Sequence, residues 1–113
     1  MSLTVACLCA DWCNTCKEFS PAFAALGLDR RSDRFLWIDI EEHEDLLGDH
    51  DVPNFPMILI ADAAGKVCFS GPILPHISTL ARLCESAATG DLGQQTGPDD
   101  WSDVAQNLQG LRP

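Results

Sequence analysis

Trp12-Cys13-Asn14-Thr15-Cys16 sets two thiols, with two residues between them, where an apolar run gives way to an amphipathic one. Residues 3–10 are β-prone and apolar on both faces, as a central strand covered by helices on each side should be. Residues 14–28 carry Phe19, Ala22, Phe23 and Leu26 at helical spacing. The two cysteines therefore fall in the turn of a strand–turn–helix. The first turn of a helix has unpaired backbone N–H groups and the positive end of the helix dipole, and both favour an anionic sulfur there. Cys13 is accordingly the nucleophile candidate, helped by Lys17 and opposed by Asp11. Cys16, one turn further in and more covered, is placed to attack a mixed disulfide formed at Cys13 and release the reduced substrate.

A chain of 113 residues has room for one domain with one modest core, and 46% hydrophobic residues fit a globular protein. A formal charge of −10 argues against nucleic acid or an anionic membrane as partner, since both select for clustered Lys and Arg. No stretch approaches the ~20 apolar residues of a membrane span. Six cysteines would suit a secreted disulfide framework, but the N-terminus shows no charged leader and no apolar segment separable from the first strand. A reducing cytoplasm is the expected compartment, and there paired cysteines more often serve catalysis or metal binding than structure. A monomer or weak dimer is expected.

Past the first helix, which Pro21 should kink, residues 35–40 form a second apolar strand, parallel to the first through the helical crossover. Residues 41–47 read as a short acidic helix. Residues 49–55 form a loop leading to Phe55-Pro56, and residues 57–60 a third strand. Ala63-Ala64-Gly65 turns the chain back into an antiparallel fourth strand over 66–70. A last clear helix, 75–88, has Ile77, Leu80, Ala81, Cys84 and Ala88 on one face. The domain is thus drawn at 1–89. Residues 90–113 are read as a linker followed by a short helix in which Trp101, Val104, Ala105 and Leu108 share a face.

The order strand, helix, strand, helix, hairpin, helix resembles the thioredoxin family, and four features carry the resemblance. Trp12 precedes Cys13, Lys17 follows Cys16, Pro21 lies five residues beyond Cys16, and Phe55-Pro56 stands where the family has its cis-proline. The resemblance implies an α/β three-layer sandwich, βαβαββα, around a four-stranded mixed sheet. It also implies a thiol–disulfide oxidoreductase with Cys13 and Cys16 catalytic, supported by Trp12, Lys17 and a cis Pro56. Trp12 and Phe55 would belong to the substrate groove. Protein disulfides would be the substrates and an electron donor the second partner, with no cofactor and no metal.

Three departures from the family carry expectations of their own. Its first strand and helix are absent, so residues 35–40 should lie at an open sheet edge, covered by the segment around Trp101 or by a second copy of the chain. A buried aspartate that serves the second cysteine as proton carrier is replaced by Cys7, and its lysine partner by Trp37, both suited to a dry interior. Asn14-Thr15 replaces Gly-Pro between the cysteines. A glutathione-linked reaction is the second enzymatic reading, without a basic patch to support it. A binding or redox-sensing module that does not turn over is the reading from another class. A zinc site is a further alternative, because Cys7 and Cys9, two apart in a strand, share a face and could join Cys13 and Cys16. Cys7, Cys68 and Cys84 read most simply as buried small hydrophobes. Cys9 reads as packing, with a secondary redox role as its alternative.

Overall fold

The computed structural model describes residues 3–10, 13–47, 56–73, 76–89 and 101–109. Its elements run β1 (Thr4–Cys9), α1 (Asn14–Asp29), β2 (Arg34–Asp39), α2 (Glu44–Leu47), β3 (Met57–Ala61), β4 (Val67–Pro72), α3 (Ile77–Thr89) and α4 (Ser102–Leu108). The strands form one mixed sheet in the order β2-β1-β3-β4. β2 runs parallel to β1, while β3 and β4 continue the sheet antiparallel.

β1 is buried at every position, and its period-2 alternation divides the core in two. Leu3, Val5, Cys7 and Cys9 point toward α1 and α3, where they meet Phe19, Phe23, Leu80, Cys84 and Ala87. Ala6 and Leu8 point the other way, to Leu36, Ile38, Met57 and Leu59. Trp101, Val104, Ala105 and Leu108 cover this second face, so the C-terminal stripe of the sequence supplies the outer layer of the sandwich. Arg34 Nη2 ties α4 down by donating to the carbonyl of Leu108 at 2.9 Å. The expectation that this segment covers the edge of the second strand is corrected: α4 lies on the face of the sheet, and among the described residues no strand pairs with the outer edge of β2. The linker read over 90–100 lies outside the described residues.

α1 continues through Pro21 to Asp29. The ladder bond that proline removes belongs to the carbonyl of Lys17, and both residues are exposed, so water can take that carbonyl. The β3–β4 hairpin turns at Gly65, whose φ of +85° suits glycine. The Asp62 carboxylate stabilises the turn by accepting from the N–H groups of Ala64 and Lys66, each at 2.9 Å. Trp37 corrects a second expectation. Its Cα pairs with that of Cys7, but on the edge strand its side chain remains 38% exposed and packs edge-on against Phe23 with ring centroids 5.6 Å apart.

Candidate active site

β1 delivers its last residues to the end of the sheet where α1 begins. Cys13 is the N-cap of α1, in extended conformation and without a side-chain capping bond. Its N–H donates to the carbonyl of Ala10 at 3.0 Å, and its carbonyl accepts from the N–H of Lys17 at 3.1 Å. The Cys13 thiol thus stands at the helix N-terminus, half-buried and free. Cys16 is one turn into α1 on the face that meets the sheet, and is 1% exposed.

The partner Cys16 meets there is Cys9. The two are joined by a disulfide, with Cα atoms 6.0 Å apart. Period 2 in β1 aims Cys7 and Cys9 at the same side as the inner face of α1, and the tight turn sets Cys16 above Cys9. The Cys7 Sγ lies 3.4 Å from that of Cys9. Burial, reinforced by nearby Cys13, pushes the Cys7 thiol far up, so it stays protonated at neutral pH and cannot serve as a base. The structure therefore gathers four sulfurs: one accessible thiol, one buried bridge and one buried thiol beside it.

The other sequence candidates fall around this cluster or outside it. Lys17 follows Cys16 and is exposed. Pro56 is fully buried and immediately precedes Met57, the residue paired with Leu8, so it sits at the same end of the sheet as Cys9. Trp12 and Phe55 lie outside the described residues, and with Phe55 the geometry of the bond to Pro56. Among the described residues no three His, Cys, Asp or Glu side chains are grouped to hold a metal ion. No described helix is long and apolar enough to cross a membrane. Cys84 is buried as expected, and burial pushes its thiol up to about 11. Cys68 is only half-buried. The part played by Cys9 was open to the same alternation that put Cys7 and Cys9 on one face; the missing step was the inward aim of Cys16.

Residues 2–72 match the thioredoxin family model. Protein disulfide-isomerase of Saccharomyces cerevisiae is 32% identical over 68 residues, covering 56% of this chain and 13% of that protein. Thioredoxin-1 of Caenorhabditis elegans is 32% identical over 50 residues, covering 44% of each. The chain thus spans less than half the length of either relative. Among solved structures, the germline-specific thioredoxin Deadhead of Drosophila melanogaster superposes with a TM-score of 0.66 at 21% identity, covering 75% of this chain and 80% of that one. Oxidised mitochondrial thioredoxin 3 of Saccharomyces cerevisiae gives 0.62 at 22% identity, covering 71% and 74%.

Proposed function

The chain belongs to the thioredoxin family, and from that premise we propose that it is a thiol–disulfide oxidoreductase acting on protein disulfides. Cys13 attacks a substrate disulfide, Cys16 resolves the mixed disulfide, and a separate electron donor restores the dithiol. The observation that carries this reading is the free, half-buried Cys13 thiol at the start of α1 with Cys16 buried one turn behind it. Lys17 and Pro56 support the pair, and Trp12 and Phe55 contribute to the groove for the substrate chain. Four of the six cysteines are free, which favours a reducing compartment such as the cytoplasm.

Reduction of insulin by the protein, with dithiothreitol as donor, tests the reading. Wild type should accelerate it, and Cys13→Ser should abolish the acceleration. Cys16→Ser should accumulate a mixed disulfide through Cys13. No acceleration by the wild type would remove the enzymatic reading. The Cys9–Cys16 bridge supports a second reading, a sensing module, because in that state Cys16 is not free to resolve an adduct at Cys13.

A further inference from the structure

We propose that Cys9 is a third redox residue, which takes Cys16 from Cys13 and stores the oxidised state as a buried bridge. The proposal rests on the oxidoreductase reading for the origin of the first disulfide. When Cys16 resolves the adduct, the substrate leaves with two thiols, and the electron pair it gained leaves a Cys13–Cys16 disulfide behind. Cys9 then gives up its proton and attacks the Sγ of Cys16. The Cys9–Cys16 bond forms, the Cys13–Cys16 bond breaks, and Cys13 departs as a thiolate, which can take up that proton. The step is an exchange with no net oxidation, so it needs no further oxidant.

Three observations carry it. The bridge in the structure joins Cys9 to Cys16 and leaves Cys13 free. Cys16 is buried in the first turn of α1, three residues beyond the N-cap Cys13, and Cys13 packs against the cluster that holds both Cys9 and Cys16. Both bridged residues are only 1% exposed, whereas Cys13 is half-buried. An external thiol therefore has no direct approach to either sulfur of the bridge. Reduction has to run back through Cys13, whose thiolate attacks Cys16, returns Cys9 to its thiol and brings the disulfide to the accessible position. While the bridge is closed, Cys13 is the one thiol of the pair still able to react with a partner.

Peptide mapping tests the partition. Reduced protein is oxidised with hydroxyethyl disulfide, quenched in acid, and unfolded with N-ethylmaleimide. It is then cut before Asp11 and Asp29, giving peptides 1–10 and 11–28. A Cys9–Cys16 bridge leaves the two peptides linked, with one maleimide on Cys7 and one on Cys13. A Cys13–Cys16 bridge leaves them separate, with 11–28 closed on itself. The linked form is expected in wild type and in Cys7→Ala, and its loss is expected in Cys9→Ala. Reduction by dithiothreitol supplies the second readout. The wild-type rate should level off as dithiothreitol rises, because the internal exchange becomes limiting, whereas the Cys9→Ala rate should climb in proportion. Cys13→Ser should close the linked form at least tenfold more slowly, and any linked form it reaches should be reduced at least tenfold more slowly.

A wild-type map showing only the self-closed 11–28 peptide would overturn the proposal. So would a linked form that Cys13→Ser reduces as fast as wild type, which would mark the bridge as static and directly reached. Insulin turnover separates the two readings. If it is absent while the linked form and the rate plateau are present, the oxidoreductase reading falls and the exchange stands. If it is present with only the self-closed peptide, the reverse holds.

Discussion

Single side chains around β1 show how the interior sets chemistry. The side chain of Asp33 is almost fully buried, and its carboxylate is paired with Arg30 at 2.8 Å and accepts the N–H of Leu3 at 2.9 Å. Asp33→Ala leaves that N–H without its acceptor, and should lower the unfolding free energy by about 2 kcal/mol, read as a fall in urea midpoint. Cys84 shows the opposite case, a titratable group with its neutral form favoured. Its thiol is raised to about 11 by burial, against an opposing contribution from Arg30. In the unfolded chain it ionises near pH ~8.5, so its contribution to stability is full below that value and is lost as pH rises toward 11. Under reducing conditions the wild-type midpoint should therefore fall between pH 8.5 and 11, and less steeply in Cys84→Ala. Burial holds the Cys7 thiol protonated by the same physics. Cys7→Asp puts a carboxylate beside the cysteine cluster, and disulfide reduction at neutral pH should rise severalfold. An unchanged rate would mean that Cys16 is deprotonated by solvent.

Among the elements, α4 shows what a pattern can and cannot say. Its stripe of Trp101, Val104, Ala105 and Leu108 was readable as an apolar face, and all four are buried. What that face packs on was not readable, because an amphipathic stripe specifies burial without naming a partner. The first helix, the strands and the hairpin were legible for a different reason. Each joins a strong local period to its own turn residues, so each choice has few competitors. Trp37 was misjudged because its position was inferred from the role of a lysine it replaces. The edge of the sheet decided its exposure instead. Leu108 is 1% exposed in the cluster that α4 closes, so Leu108→Ala should cost about 3 kcal/mol. Removing residues 101–113 uncovers Leu8, Leu36, Met57 and Leu59 together. The expected result is non-cooperative unfolding and dye binding to the exposed sheet, and unchanged cooperativity would mean that α4 contributes little to the core.

For the molecule as a whole, the site is where two packing problems meet. β1 is covered on both faces and carries cysteines in its inward register. α1 starts directly after it, so a helix that buries its own inner face brings a third cysteine onto them. The Cys-x-x-Cys spacing was visible in the sequence, but the choice of partner for Cys16 depends on how the turn lays the first helical residues over the strand end. That choice has a global consequence. The bridge spans a sequence separation of 7, a short loop, so by chain entropy it should stabilise the fold by about 2.5 kcal/mol. A static structural staple and a redox store differ in how this energy is reached. A staple contributes it at all times; a store contributes it only when oxidised, so stability becomes a readout of redox state. Unfolding in urea should give a higher midpoint for the oxidised protein than for the reduced one. In Cys9→Ser, where oxidation can close only the shorter Cys13–Cys16 loop, the gap should narrow. Equal midpoints for oxidised and reduced wild type would mean that closing the bridge strains the turn as much as it restricts the unfolded chain. The reduced protein would then already hold Cys9 and Cys16 apart.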